Sequence, residues 1–203
     1  LSGRAGAPVH SYAIGIGRDG LTTPLGATTI QRKTKNPVWR PTARMRSEDP
    51  TLPAEVPAGP DNPMGTRALY LARTPYAIHG TNKPFAVGRR VSSGCIRMYT
   101  KDVEQLYDLA RVGTKVVIID QPIKLGWLDD ELYMEAHPTQ DQSDELTFGK
   151  PVKAPMTNAI AAQVRAAAGK QSDRLDWDVI RKTAAERRGY PVRVTRLRVT
   201  AAE

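Results

Sequence analysis

Two side chains in residues 76–98 are of types that could perform nucleophilic chemistry together. Cys95 is the only cysteine of the chain, and His79 is one of three histidines. A thiol nucleophile needs a base to remove its proton, and the base needs a third group to orient it. His79 closes a short apolar run that is typical of a strand end, and the loop that follows is long enough to return Cys95 to the imidazole. The pattern predicts a catalytic cysteine–histidine pair.

The backbone next to Cys95 agrees with this interpretation. Gly94 allows a bend and a close approach of the main chain to a ligand, and an N–H directed outward beside a nucleophile is what an oxyanion site requires. The same residues also have an ordinary explanation. A single cysteine is often a small buried hydrophobe, and a histidine at a strand end is often only hydrogen-bonded. Spacing alone leaves both interpretations open.

Two motifs contain these residues, HGTN at 79–82 and SSGCIRM at 92–98. Together they resemble the catalytic signature of the L,D-transpeptidases, the YkuD-type family of peptidoglycan cross-linking enzymes. The resemblance is closest to the Gram-negative ErfK/YbiS-like branch and covers roughly residues 11–138 as one collinear match rather than a short motif. It continues through GRDG at 17–20, TPLG at 23–26 and PAGPDNP at 57–63.

The sequence departs from the family pattern at one position. Ser93 stands where many relatives have a second histidine, directly before the Gly-Cys pair. His79 is therefore the only histidine close to Cys95 in the sequence. Some relatives also have asparagine in place of Arg97, although arginine is typical of this branch.

The resemblance implies a specific reaction. Cys95, as a thiolate, attacks the carbonyl between the third residue of a peptidoglycan stem peptide and the terminal D-Ala. His79 acts first as base and then as acid, and its ordinary pKa near 6.5 suits both roles. The backbone carbonyl of Gly80 orients the imidazole ring. D-Ala leaves, a thioester remains, and an amine then releases the enzyme.

The resemblance also implies substrate or oxyanion contacts for residues around the pair: Gly94, Ser93, Arg97, Asn82 and Tyr76. Backbone N–H groups near Gly94 and Cys95 would hold the oxyanion. Arg97 either receives a substrate carboxylate, which its planar fork matches, or braces the Cys95 loop. The intervening loop is basic, which would favour the thiolate, through Lys83, Arg89 and Arg90.

The amine acceptor is the least determined part of the function. A diaminopimelate amine would give a 3–3 cross-link, whereas a protein amine would anchor an outer-membrane protein or lipoprotein to the wall, and we predict the second product over the first. Two alternatives remain. The same thioester could be hydrolysed, giving an L,D-carboxypeptidase or amidase, or the chain could be a non-catalytic envelope-binding module with an inert Cys95. No cofactor is implied, and one cysteine with three scattered histidines gives no metal-ligand cluster.

Composition limits the cellular context. The net charge of +9 favours polyanionic partners, but no zinc-finger spacing or RNP-like aromatic motif indicates nucleic acid. No apolar run has the length of a membrane helix. The first residues are not a signal peptide, and the missing initiator Met suggests a processed or trimmed chain. We therefore expect, from the resemblance, a periplasmic protein exported by a signal that this chain lacks.

The predicted fold is mainly β, an L,D-transpeptidase-type β-sandwich with one or two packed helices and a C-terminal helical extension. The catalytic domain is predicted at 1–138, and a linker with the helical extension at 139–203. Residues 48–63 are rich in proline and must be extended loop, either a lid over a substrate groove or a passive surface wrap. The other predicted elements are strands at 11–17, 27–30, 67–73, 76–79, 115–120, 132–136 and 192–199 and helices at 41–46, 100–110, 154–168 and 176–188.

Overall fold

The computed structural model of the chain describes residues 9–139, 142–143 and 155–197. The chain divides into two compact units, Leu1–Ile119 and Asp120–Glu203. Each unit has its own hydrophobic core. Among the described residues, no helix combines the length and the apolar character needed to cross a membrane.

The first unit is built on one mixed sheet in the order β5-β1-β6-β4-β3-β2-β7. Strand β1 pairs in parallel with β5, β4 pairs in parallel with β6, and the remaining neighbours are antiparallel. The fold is therefore mainly β, as the sequence predicts. The strands are β1 (Ile14–Gly17), β2 (Gly26–Lys35), β3 (Arg67–Leu71), β4 (Ala77–His79), β5 (Arg90–Ser92), β6 (Ile96–Met98) and β7 (Lys115–Ile118).

The parallel pairing of β4 with β6 decides which side chains meet. Ile78 is in register with Ile96, and His79 with Arg97. Side chains in register share a sheet face, and alternate residues along a strand point to opposite faces. Ile78 and Ile96 therefore face the hydrophobic core, which contains both of them. His79 and Arg97 lie on the other face, and Cys95, two residues before Arg97, lies on that face too.

A helix behind this sheet secures the core. Helix α2 (Thr100–Leu109) follows β6 directly, and its Val103 is completely buried in the core cluster. The sequence predicts Thr100 as the N-cap, but the cap position is Tyr99 and makes no side-chain capping bond. At the other end of α2, Lys33 of strand β2 donates hydrogen bonds to the carbonyls of Tyr107 and Ala110, and its charge complements the negative helix terminus.

Strand β7 lies at the edge of the sheet, although its continuous β-branched run favours a buried central strand. It is the last strand of the sheet and pairs only with β2. Val117 is 55% exposed and Ile119, just beyond the strand, is 62% exposed. A run of β-branched residues is also compatible with an edge strand, because the sequence pattern does not reveal whether a second neighbour pairs with it.

The long segment between β2 and β3 contains one short helix, α1 (Ala43–Glu48), capped by the Thr42 side chain. Helix α1 ends at Glu48, and residues 49–63 form no helix or strand, in agreement with the extended loop predicted over 48–63. An isolated bridge between Trp39 and Val56 joins the beginning of this segment to its middle.

The second unit contains the predicted helical part. Its strands form an antiparallel sheet in the order β10-β9-β8. Residues 140–141, 144–154 and 198–203 lie outside the described residues, and so do most of the predicted linker and the end of the strand predicted at 192–199. The elements are β8 (Ile123–Leu128), β9 (Glu131–Ala136), helix α3 (Asn158–Ala168), helix α4 (Trp177–Glu186) and β10 (Val192–Arg193).

The two units divide earlier than the predicted boundary after residue 138. The β8–β9 hairpin supplies Ile123, Leu132 and Met134 to the core of the second unit. That core also includes Ile160 of helix α3 and Ile180 of helix α4. The hairpin therefore belongs with the helices by its packing. Strand β8 was not predicted, because its sequence, IKLGWL, has no regular alternation of polar and apolar residues.

Candidate active site

His79 is buried at the end of strand β4, with 6% of its surface exposed. Its Nδ1 lies 2.6 Å from the carbonyl oxygen of Gly80. A carbonyl oxygen can only accept a hydrogen bond, so Nδ1 carries the proton and Nε2 is left as the basic nitrogen. This is the orientation that the family resemblance leads us to expect for a histidine that acts as base.

The surroundings of His79 keep the imidazole neutral. Burial lowers the pKa of His79 to about 4. The hydrogen bond to Gly80 acts in the opposite direction, and the positive charge of Arg97 adds to the decrease. At neutral pH the ring is therefore uncharged and can accept a proton.

Cys95 follows a tight turn that only glycine fits. Gly94 has φ +101°, a conformation that side chains rarely adopt. A Cβ at this position would lie 2.5 Å from Cε1 of Tyr76. The Tyr76 ring thus packs directly on the Gly94 backbone. This contact supports the loop, and we therefore interpret Tyr76 as a residue that holds the turn.

Two hydroxyl groups hold the turn before Cys95. Ser92 Oγ accepts the Gly94 N–H at 3.1 Å and donates to the Cys95 carbonyl at 2.6 Å. Thr23 Oγ1 donates to the Gly94 carbonyl at 3.0 Å and accepts the Gly17 N–H at 3.0 Å. The Gly94 N–H is therefore already engaged. Of the two donors expected for an oxyanion, the N–H of Cys95 is the better candidate.

Ser93 is expected from the resemblance to contact the substrate or the oxyanion, whereas Ser92 makes the contacts that brace the turn. Ser92 is 2% exposed, and Ser93 is half-buried with no hydrogen bond within the described residues. The sequence pattern of the strand indicates which of the two serines faces inward. Strand β5 alternates, with Arg90 and Ser92 buried and Val91 exposed, so a period of two points Ser92 inward.

The Cys95 thiol rests in its neutral form. Burial raises its pKa, while a backbone hydrogen bond at Ala77 and the charge of Arg97 lower it less strongly. The expectation that Lys83, Arg89 and Arg90 favour the thiolate is therefore wrong. Lys83 and Arg89 are exposed, and the Arg90 guanidinium is buried and donates through Nε to the Gly17 carbonyl at 3.2 Å.

Arg97 is half-buried on the same sheet face, and its Nε is fully buried without a hydrogen-bond partner. Within the described residues no hydrogen bond or carboxylate neutralises this guanidinium. The alternative role of bracing the Cys95 loop is not what we observe, since Ser92 and Thr23 make those contacts. Burial lowers the pKa of Arg97. A partly desolvated cation without a partner is suited to bind an incoming carboxylate.

The Asn82 side chain contacts the backbone of another segment. Its side-chain amide donates to the carbonyl of Asp61 at 2.9 Å. The amide therefore joins the segment after His79 to residues 61–65.

A cavity of about 290 Å³ opens beside Cys95. Most of its walls are apolar side chains, and several come from the long segment between β2 and β3. The lining residues are Val38, Trp39, Arg40, Thr42, Met45, Met64, Tyr70, Pro75, Ala77 and Cys95. The wall of the groove is therefore formed mainly by Val38, Trp39, Arg40, Thr42, Met45 and Met64. None of the proline-rich residues 48–63, predicted to be either a lid or a passive surface wrap, lines it.

Comparisons with known proteins agree with the site. The family model of the YkuD L,D-transpeptidase catalytic domain matches residues 3–118. The chain is 41% identical over 92% of its length to the probable L,D-transpeptidase ErfK/SrfK of Salmonella typhimurium. It is 42% identical over 89% of its length to the probable L,D-transpeptidase YbiS of Escherichia coli. The chain spans only 60% and 59% of the length of these two relatives.

The fold comparison is more distant. The crystal structure of L,D-transpeptidase 3 from Mycobacterium tuberculosis superposes with a TM-score of 0.41 at 20% identity. The match covers 59% of this chain and 51% of the other. A TM-score of this size does not establish a shared fold.

The neutral state of the pair predicts how Cys95 reacts as the pH changes. Because burial raises the thiol pKa, we expect its alkylation by iodoacetamide to accelerate about tenfold per pH unit from pH 6 to 8. The alkylation rate of Cys95 should still increase at pH values where the rate for N-acetylcysteine has become constant. Mass spectrometry of the intact chain measures the adduct, and Cys95→Ser provides the blank. A rate already constant at pH 6 would indicate a thiolate–imidazolium pair and contradict this assignment.

Proposed function

Because the chain belongs to the YkuD-type L,D-transpeptidase catalytic domain family, we propose that it transfers acyl groups of peptidoglycan stem peptides to amines in the periplasm. One observation carries the proposal. His79 is buried, neutral and oriented by the Gly80 carbonyl on the sheet face that also presents Cys95. This arrangement is what a thiol nucleophile with a general base requires.

The first half of the proposed reaction forms a thioester. His79 Nε2 takes the proton of the Cys95 thiol as Sγ attacks the carbonyl that precedes the terminal D-Ala. The N–H of Cys95 stabilises the oxyanion. When the tetrahedral intermediate collapses, the C–N bond breaks, and His79 returns the proton to the departing amine of D-Ala. The stem peptide is then bound to Sγ as an acyl group.

The second half of the proposed reaction transfers the acyl group from Sγ to a second amine. The incoming amine attacks the thioester carbonyl, and the neutral His79 removes its extra proton. Collapse of this intermediate breaks the C–S bond, and His79 returns the proton to the departing Sγ, which regenerates the thiol. A charged imidazole could not accept the amine proton, so the step needs the neutral ring that burial maintains at neutral pH, while the lowered pKa makes that ring a weaker base than a free imidazole.

Arg97 gives the site selectivity for anionic substrates in this proposal. It lies in register with His79, and its guanidinium has no partner among the described residues. A stem peptide carries free carboxylates, and an arginine fork binds a carboxylate with two parallel hydrogen bonds. We therefore assign Arg97 to a substrate carboxylate close to the scissile bond.

The proposed acceptor is an amine of an outer-membrane protein, in preference to the diaminopimelate amine of a second stem. The basic charge of the chain suits either. The Gram-negative branch that the sequence resembles includes enzymes of both kinds, with protein anchoring prominent. Hydrolysis of the thioester is the competing outcome.

Replacement of Cys95 tests the reaction itself. We expect Cys95→Ser to reduce D-Ala release from tetrapeptide muropeptides by about 10⁴-fold or more, because the hydroxyl is a far weaker nucleophile at the same position. Liquid chromatography of the released D-Ala gives the rate, and circular dichroism checks that the fold is retained. Turnover by the folded variant at the wild-type rate would exclude Cys95 as the nucleophile.

Replacement of Arg97 tests carboxylate binding. We expect Arg97→Gln to raise KM for a tetrapeptide about tenfold, because a charge-assisted hydrogen bond is lost. Arg89→Gln, an exposed residue of the preceding loop, is the matched control and should leave KM unchanged. The defect should disappear with a substrate whose relevant carboxylate has been converted to an amide. If Arg97→Gln raises KM by the same factor for the amidated substrates as for the substrate with free carboxylates, Arg97 does not bind a carboxylate.

The acceptor is decided by muropeptide analysis of cells with and without the protein, with bound protein retained. We expect protein-linked muropeptides to decrease when the protein is absent, because the thioester would no longer be transferred to a protein amine. A loss of 3–3 dimers alone would overturn the anchoring preference. Accumulation of untrimmed tetrapeptides, with both products unchanged, would indicate hydrolysis.

A further inference from the structure

The segment from Pro37 to Gly65 is held together by one buried side chain. We call this segment the strap. Asn62 has no exposed surface. Its Nδ2 lies 2.8 Å from the Pro37 carbonyl and 3.0 Å from the carbonyls of Val56 and Pro57, and its Oδ1 accepts the Met64 N–H at 2.8 Å. One amide therefore joins the beginning, the middle and the end of the strap.

Only a primary amide of this length satisfies that arrangement. The two N–H groups of Nδ2 serve three carbonyls, of which that of Val56 also accepts the Trp39 N–H, and the Met64 N–H needs an acceptor on the same side chain. Aspartate would place a negative oxygen against carbonyl oxygens, and alanine would leave the buried carbonyls and the Met64 N–H without these partners. Proline-rich chain makes few bonds of its own, since proline has no N–H. Asn62 is therefore the buried side chain that joins the separate parts of the strap, next to the backbone bridge of Trp39 and Val56.

The strap supplies more than half of the residues that line the cavity beside Cys95. These are Val38, Trp39, Arg40, Thr42, Met45 and Met64. Their side chains are mainly apolar, in keeping with the aliphatic chain of a stem peptide. The Trp39–Val56 bridge places Trp39 next to the part of the strap that Asn62 holds. A change at Asn62 would therefore move this wall, although Asn62 itself does not line the cavity.

The strap also contacts the backbone that orients His79. A Cβ on Gly65 would lie 2.8 Å from the Thr81 nitrogen and 2.9 Å from the Gly80 carbonyl carbon. The Asn82 side chain donates to the Asp61 carbonyl on the same stretch of the strap. The Gly80 backbone, whose carbonyl accepts the His79 hydrogen bond, thus packs against Gly65, which follows Asn62 closely in the strap.

From these contacts we infer that Asn62 is a positioning residue for the reaction: it fixes the strap as the apolar wall of the acyl-donor groove and as the support of the Gly80 carbonyl. The inference rests on the proposed function for its effect on turnover. The geometric part is independent of that function, because the strap lines the cavity beside Cys95 whether or not the thiol reacts with a stem peptide.

Asn62→Ala should loosen the strap without changing the groups that react. We expect kcat/KM for a tetrapeptide to fall by about tenfold to a hundredfold, chiefly through KM, because displacement of a binding wall by about 1 Å has effects of this size. Labelling of Cys95 gives a second measurement. The rate of reaction with a bulky fluorescent maleimide, divided by the rate with iodoacetamide, should rise about tenfold as the groove opens.

Asn158→Ala, on an exposed part of helix α3, is the matched control and should change neither quantity. If Asn62→Ala does not fold, Asn62→Asp carries the same test, since it keeps the side-chain size and the acceptor for Met64 while losing the donors. An unchanged labelling ratio with an unchanged KM would overturn the inference. Loss of folding in both variants would also overturn it, by assigning Asn62 to the stability of the whole unit.

The two proposals fail in different ways. A wild-type protein with no turnover, but with a labelling ratio that rises in Asn62→Ala, would refute the proposed function and support the role of the strap. A wild-type protein with turnover that Asn62→Ala leaves unchanged, together with an unchanged labelling ratio, would refute the role of Asn62 alone.

Discussion

The hydrogen bond from His79 Nδ1 to the Gly80 carbonyl is the interaction on which the rest of the site depends. It fixes the tautomer and leaves Nε2 as the basic nitrogen. A carbonyl can orient the ring without adding a negative charge, so burial remains the dominant influence and lowers the pKa of His79 to about 4. A carboxylate in the same place would stabilise the imidazolium and raise that pKa. The neutral orienting group thus matches a mechanism in which the imidazole must be uncharged before each nucleophilic attack.

The Cys95 turn shows a second constraint, which is steric. Gly94 must adopt a positive φ, and the Tyr76 ring occupies the space that a side chain would need. Because Ser92 and Thr23 tie the same turn through both its N–H and its carbonyl, the nucleophile is held by a rigid backbone rather than by a flexible loop. Rigid support of this kind keeps a reacting atom in place through both halves of an acyl transfer.

The sequence was sufficient for the parts of the site that are local. The strand that ends at His79 and the glycine bend before Cys95 follow from short patterns in the chain, whereas the Gly80 contact was expected from the family resemblance. Contacts between residues distant in sequence were missed, because no periodicity reports them. Thr23 meets Gly94 across 71 positions, and Asn62 meets Pro37 across 25. The exposure of β7 has the same cause, since the number of neighbours of a strand is decided by the whole sheet.

The apolar wall of the cavity affects whether a thioester at Cys95 would react with water or with an amine. The chain carries thirty lysines and arginines, yet the wall beside Cys95 is built largely from apolar side chains such as Trp39, Met45 and Met64. A thioester formed there would be shielded from bulk water, which slows hydrolysis. An amine carried by a larger substrate can displace the remaining water and use the binding energy of its other parts. Under the proposed function, exclusion of water by this wall would favour transfer to an amine over hydrolysis.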